Sequence, residues 1–402
     1  MKKVITMVGT SIFENYFEEE KRNNTSRGYF EDLQEKKAEE FDSEKRRIQS
    51  LRDAIKEWID SRKDENKVTL SAEVKSLLKL KEELRDDDFE VYLLYSDTIL
   101  SKLASQLIEE ILQDLGFDSK KIYTRFIKCL QVQDREEFNV GMSELINEIY
   151  RIADEYWDNV IINITGGYKA TIPYLTILAQ VNKCPVYYIF EKTDALIKIP
   201  YIPLDIKWEI FEEYEEFFAK LEKDGVSELK GINEEDYADI LSLVERVENL
   251  YSLNNLGIVL WEKYKRGFRV FYVSKLFKEY IGKDQNFKNI AEKSLLELKR
   301  RIEQNLQDPD LDHRLEGVDL QDFKCFKHKE NNLQVRILYK VKERKTRYGV
   351  MEYDIYAGAI SIGSDVHNVE SEYVETFKNN LSKIKDLENY KVYKIQKEGW
   401  HV

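Results

Sequence analysis

The chain is short of cysteine, of long apolar runs and of positive charge, and each shortage excludes something. Its three cysteines, Cys129, Cys184 and Cys325, lie far apart without metal-type spacing. That rules out a disulfide-stapled scaffold, and the odd number fits a reducing cytoplasm. Each is read as a small buried hydrophobe, not a nucleophile. No apolar run reaches the roughly 18–20 residues that span a bilayer, so no membrane partner is expected. The opening Met1-Lys2-Lys3-Val4-Ile5-Thr6-Met7-Val8-Gly9 is too short for a secretory signal and is read as a first strand. With 63 Lys and Arg against 76 Asp and Glu, the 402 residues carry a net charge of −13. This argues against bulk coating of nucleic acid but leaves room for a local basic patch. No internal repeat is present.

The front half alternates strands with helices. Residues 3–8, 90–95, 122–127, 160–164 and 185–190 read as strands. Ile99–Leu115, Met142–Tyr156 and Pro173–Val181 read as helices. That order implies a parallel sheet with right-handed crossovers, an α/β Rossmann-like architecture. Residues from about 17 to 88 are dense in Glu, Lys, Arg and Asp, with Ile48, Leu51, Ile55 and Ile59 at helical spacing. They read as a helical excursion from the core with a solvated charged face.

Ligands of such sheets sit beyond the strand carboxyl ends. Three turns of small or hydroxylated residues fall there: Gly9-Thr10-Ser11, Ser96-Asp97-Thr98 and Thr165-Gly166-Gly167. The last is the most informative, in the stretch Ile161-Ile162-Asn163-Ile164-Thr165-Gly166-Gly167-Tyr168-Lys169-Ala170-Thr171. A strand runs into a double glycine and then a helix start, where amides and the helix dipole seat phosphate. The glycines admit close backbone approach, and Lys169 can neutralise phosphate charge. An ordinary strand–helix turn is the competing reading.

Around residue 205 the character changes. Trp208–Leu221, Asp236–Tyr251 and a last helix to Lys265 read as a compact helical connector, winged-helix-like in one reading. From about 266 to 402 the pattern is α+β. Arg269–Val273 reads as a strand and Phe277–Leu306 as broken helix. Phe323–Lys327, Val335–Val341 and Tyr353–Ile362 read as an antiparallel meander. This last part holds all four histidines, His313, His328, His367 and His401, and a crowd of lysines and arginines. In Phe326-Lys327-His328-Lys329 the two lysines share a sheet face by strand alternation, and Arg336 on a paired strand can meet them. Three cations on one face repel unless something anionic sits there, such as RNA phosphate. RNA supplies its own nucleophile, the 2′-hydroxyl. The cations supply the electrostatic stabilisation, and a lysine, a histidine or a tyrosine moves the protons.

Two family resemblances meet in this chain. The front 205 residues resemble the CARF domain, the CRISPR-associated Rossmann fold, through Val8-Gly9-Thr10-Ser11 after the first strand and Asn163-Ile164-Thr165-Gly166-Gly167-Tyr168-Lys169 after the fourth. The resemblance implies a homodimer that senses cyclic oligoadenylate, with cyclic tetra-adenylate the favoured ring. It implies ligand contacts from Gly9, Thr10, Ser11, Ser96, Thr165, Gly166, Gly167, Lys169 and Thr171. Whether such a sensor also cuts its ligand stays open.

The back domain resembles the RelE family of ribosome-dependent mRNA endonuclease toxins. The match lies in Cys325-Phe326-Lys327-His328-Lys329, Val335-Arg336-Ile337-Leu338-Tyr339-Lys340-Val341 and Ile360-Ser361-Ile362-Gly363. Lys327 and Lys329 match the paired catalytic lysines and Arg336 the phosphate-binding arginine. Aligned from Tyr373, His367 stands where the family has a second arginine, which makes it a candidate acid or base.

Together the resemblances imply an activator-gated, metal-independent mRNA endoribonuclease of type III CRISPR immunity, delivered to mRNA on the ribosome and needing no cofactor. A helical effector with an Arg, a spacer of about four to six residues and then a His is set aside, because none of the four histidines has that spacing. A metal-dependent nuclease and a ligand-responsive DNA-binding regulator remain as alternatives.

Overall fold

The computed structural model describes the chain apart from residues 21–23, 86–87, 155, 191–194, 204, 316–318, 331, 346–350, 364–365 and 397–402; at 24, 64–65, 344–345, 351–352 and 366–373 it describes backbone only. Two compact units result, Met1–Tyr264 and Lys265–Val402.

The first unit runs β1 (Lys2–Val8), α1 (Ser11–Glu19), α2 (Asn24–Leu33), α3 (Lys45–Asp60), α4 (Asp64–Lys67), α5 (Ala72–Leu84), β2 (Phe89–Tyr95), α6 (Ile99–Asp114), β3 (Ile122–Phe126), α7 (Arg135–Ala153), β4 (Val160–Asn163), α8 (Ile172–Val181), β5 (Val186–Ile189) and β6 (Leu196–Ile199). Its sheet has the order β3-β2-β1-β4-β5-β6; the first five strands are parallel and β6 closes the edge antiparallel. Strand alternation splits the core. Val4 and Val8 join Val91 and Leu93 on one face, while Ile5 and Met7 join Tyr92 and Leu94 on the other. Burial on both sides explains why β1 and β2 are nearly continuous apolar runs. Helix α6 starts where Thr98 caps it, its hydroxyl accepting from the Ser101 amide at 3.2 Å.

The charged stretch 17–88 is helical, but it is no excursion. Ile48, Leu51, Ile55 and Ile59 of α3 and Val74, Leu77 and Leu80 of α5 are buried in the same core as Val4 and Val91. Those helices, with α1 and α6, form the layer over one sheet face. Most of the charges line the outer face, where Arg52 and Lys56 both meet Glu110 of α6, but Glu73 of α5 is buried.

Beyond the sheet come α9 (Glu209–Glu213), α10 (Glu215–Asp224), α11 (Tyr237–Leu243), β7 (Val244–Val247), β8 (Leu250–Leu253) and α12 (Asn255–Arg266). The helix expected over Asp236–Tyr251 stops at Leu243, and a hairpin follows. Its turn uses Glu248 at φ +55°, where no glycine marks the reversal. The hairpin is anchored to α7 by Glu245, which accepts from Asn139 at 2.7 Å and pairs with Arg135. Ile258 and Val259 of α12 belong to the sheet's second core face, and Lys263 donates to Asn182 at 2.9 Å. The connector is therefore packed onto the Rossmann-like sheet.

The second unit contains β9 (Phe268–Val273), α13 (Lys275–Ile281), α14 (Gln285–Gln304), β10 (Lys324–Glu330), β11 (Leu333–Lys345), β12 (Met351–Gly363), α15 (Val366–Ile384) and β13 (Lys391–Gln396). The sheet order is β10-β11-β12-β9-β13. Strands β10, β11 and β12 form the expected antiparallel meander; β9 pairs parallel to β12, and β13 adds antiparallel to β9. One face packs Phe326, Ile337 and Ile360 against Phe277, Leu295 and Leu298 of α13 and α14. The other packs Cys325, Leu338 and Ala359 against Phe377, Leu381 and Ile384 of α15.

Candidate functional site

In the first unit the strand order reverses between β1 and β4, which places a crevice beyond their carboxyl ends. The two glycine turns meet there. A Cβ built on Gly9 would lie 2.8 Å from the Gly167 amide nitrogen. Gly167 has φ +82°, and a Cβ there would lie 2.5 Å from the Met7 Cβ, so both backbone and space require glycine.

What approaches Gly166 is a carboxylate of the chain itself. Glu73, in the first turn of α5, is fully buried. It accepts from the Gly9 amide at 2.8 Å and from the Ser11 hydroxyl at 2.8 Å. A Cβ on Gly166 would collide with its carboxylate. Ser11 also accepts from the Ala72 amide at 3.1 Å, so α5 is fastened to the start of α1. The Ser76 hydroxyl accepts from Asn163 Nδ2 at 2.7 Å, fastening α5 to the end of β4 as well. Sequence reasoning missed Glu73 because it lies in a charge-dense stretch. Its one signal was Ser71, whose hydroxyl accepts from the Val74 amide at 3.0 Å and so marks a helix start beside it.

The other predicted ligand residues divide by what already engages them. Thr10 donates to Glu14 at 3.1 Å. Ser96 is buried, its amide donating to Ser101, whose hydroxyl reaches the Val8 carbonyl. Thr165 donates to Asn163 at 2.7 Å and accepts from the Ile189 amide at 3.1 Å. Thr171 is fully buried and donates to the Tyr168 carbonyl at 2.7 Å. The Thr10, Thr165 and Thr171 hydroxyls and the Ser96 amide hold the turns in shape. Lys169 is exposed, on a short 3-10 turn, Lys169–Thr171, that precedes α8. Asp97, in the middle turn, accepts from the Ala38 amide at 3.3 Å and the Cys129 amide at 2.9 Å.

In the second unit the register decides which cations share a face. Lys327 stands directly opposite Arg336, Lys329 opposite Gln334, and Arg336 opposite Ser361. Side chains of directly opposed residues lie on the same side of an antiparallel sheet, so Lys327, Lys329 and Arg336 share one face. The two lysines are exposed. Arg336 is 3% exposed, and its Nη1 donates to the Val335 carbonyl at 3.1 Å and Gln334 Oε1 at 3.3 Å. Farther along that face lie Cys325, Leu338 and Ala359 under α15. Burial pushes the Cys325 thiol up to about 12, against the pull of the Arg336 charge, so it is a neutral packing residue at neutral pH. His328 lies on the opposite face, stacked 5.7 Å from Phe326 and 3.5 Å from Glu330. His367 and Tyr373 fall in the first half of α15, directly after the last motif strand; their side chains lie outside the described residues. Tyr280 pins the end of β12, its hydroxyl accepting from the Ile362 amide at 3.0 Å. Among the described residues no group of three or more His, Cys, Asp or Glu could hold a metal ion, and no helix is long and apolar enough to cross a membrane.

The fold class at the first unit is thus an α/β sheet of Rossmann-like order with its crevice at the β1–β4 reversal. Residues 68–202, which take in α5 and β2 through β6, match the family model described as CRISPR-associated protein (Cas_APE2256). Among solved structures the chain is similar to that of Can2 from Sulfobacillus thermosulfidooxidans in complex with cyclic tetra-adenylate. The identity is 12% and the TM-score 0.21, over 73% of this chain and 78% of that one. No curated protein matches.

Proposed function

We propose that the chain is a ligand-gated ribonuclease of type III CRISPR immunity, with a CARF-type sensor in the first unit and a RelE-like nuclease in the second. The activator is cyclic oligoadenylate, with cyclic tetra-adenylate as the favoured ring, taken up by a homodimer. Support for the sensor comes from the match over residues 68–202 and from two glycine turns meeting where the strand order reverses. Lys169 supplies charge there.

The observation that carries the nuclease reading is the cross-strand placement of Lys327 against Arg336, with Lys329 one pair along. A ribose–phosphate backbone laid across that face would have its scissile phosphate bracketed by cations. The 2′-hydroxyl loses its proton to a base and attacks the adjacent phosphorus. The bond to the 5′-oxygen breaks, and that oxygen takes a proton. The products are a 2′,3′-cyclic phosphate and a free 5′-hydroxyl. The buried guanidinium of Arg336 stabilises charge on the phosphate, and an exposed lysine, His367 or Tyr373 moves the protons. An acidic protein holds loose RNA weakly, which favours delivery of mRNA by the ribosome.

The test is cleavage of mRNA in a purified translation mixture, with and without cyclic tetra-adenylate. Products are then recovered and their ends analysed. Cyclic phosphate ends, formed only with activator, are expected. Ends carrying a 3′-hydroxyl and a 5′-phosphate would point to metal-assisted hydrolysis and overturn the mechanism.

A further inference from the structure

The Gly9 amide and the Ser11 hydroxyl, two donors a phosphate would use, already hold a carboxylate. Glu73 is fully buried, accepts from both at 2.8 Å, and leans on Gly166 of the facing turn. It lies at the N-terminus of α1, where an anion is favoured by the exposed amides and the helix dipole. It also bridges the two turns that meet at the β1–β4 reversal. A phosphate cannot share those donors with a carboxylate, since like charges in contact repel.

We propose that Glu73 is an internal anion that occupies the activator's seat, so that a ligand phosphate enters by replacing it. The proposal rests on the sensor reading above and adds the residue that sets its affinity and threshold. A ligand with one phosphate gains too little to expel Glu73. A cyclic oligonucleotide, anchored by several phosphates and bases, can repay the displacement. Expulsion disturbs the first turn of α5, because Glu73 is held there with Ser11 bonded to the Ala72 amide. The glycine at 166 then has a reason within the chain: it makes room for the carboxylate.

The experiment is calorimetric titration of the full-length protein with cyclic tetra-adenylate, wild type against Glu73→Gln. The variant keeps the volume and one accepting oxygen, puts an NH2 donor in place of the other, and removes the charge. Binding about tenfold tighter, or more, is expected, together with new affinity for AMP, since a tenfold change corresponds to only about 1.4 kcal/mol. Amide exchange of the wild type provides a second measurement that does not depend on how the variant folds. Residues 72–76 should lose protection when the activator saturates the protein. Wild-type binding with no gain in Glu73→Gln, or with unchanged exchange at 72–76, overturns the proposal and leaves the sensor reading intact. Failure of both proteins to bind any cyclic oligoadenylate overturns the sensor reading, and this proposal with it.

Discussion

The two units present cations and polar groups in opposite ways. In the first, a mostly parallel sheet buries both of its faces, so the proposed recognition falls to the turns beyond the strand ends. Those turns would present backbone amides, while the Thr165 and Thr171 side chains are engaged within the turns themselves. In the second, a mostly antiparallel sheet carries the proposed catalytic cations on a face. Register puts Lys327 across from Arg336, and the same face turns apolar toward Cys325 and Leu338. Substitution should therefore damage the two units differently. In the first unit a small side chain in the wrong place distorts backbone. In the second a deleted side chain removes chemistry and leaves the fold.

The largest separation is expected from Lys327→Ala with Arg336→Ala. Loss of preorganised charge at a scissile phosphate costs roughly 10²–10³ in rate per group. The double variant should lose RNA cleavage by about 10³ or more in a product-end assay, with activator affinity unchanged. Next, Leu51→Ala should destabilise the first unit by about 2–5 kcal/mol, measured by denaturant unfolding, because Leu51 is fully buried in the core over β1 and β2. That result would confirm the charged stretch as part of the core; a loss under 1 kcal/mol would return it to the surface. Gly167→Ala should cost about 1–3 kcal/mol, from positive φ and the crowding against Met7, visible as a lowered Tm.

The smallest effect is a pH dependence in the second unit. Arg300 first, and Arg301 with it, hold the Glu297 carboxyl down at about 2. A depressed carboxyl stabilises the fold above its unfolded value and loses that contribution as pH falls toward 2. Since Glu297 is partly exposed, about 1 kcal/mol is expected after solvent screening. Glu297→Gln should be less stable than wild type by about that amount above about pH 4.5, with the difference closing as pH falls toward 2, and identical acid limbs in the two proteins would exclude it.

Much of this contrast was legible in the sequence. Period-two alternation in Lys327-His328-Lys329 puts the lysines on one face whatever the neighbours. The five parallel strands were legible as apolar or alternating segments, three of them ended by small-residue turns. What was hidden has physical reasons. Strand β6 is only four residues on an exposed edge. The β7–β8 hairpin turns through Glu248, so no glycine or Asn-Gly pair marked it. Helix α15 did carry a signal, with Val369, Tyr373, Phe377, Leu381 and Ile384 at spacings of three and four, but that stretch was aligned to catalytic residues after the last strand, not read for its periodicity. Glu73 could not be found from composition. An acid in the first turn of a helix is ordinarily there for the helix dipole, and only the fold brings it between two glycine turns distant in sequence.

The central claim is that one chain joins anion sensing at the first unit to RNA cleavage at the second. Its most direct test is activator-dependent RNA cleavage measured in EDTA for wild type, Lys169→Ala and Lys327→Ala with Arg336→Ala. The account predicts that wild type cleaves only with cyclic oligoadenylate present. Lys169→Ala should then need about tenfold more activator for the same rate, a loss of roughly 1.4 kcal/mol at one phosphate contact, and the double variant should stay silent at any concentration. Cleavage by the double variant at the wild-type rate, or abolition of wild-type cleavage by EDTA, would contradict it.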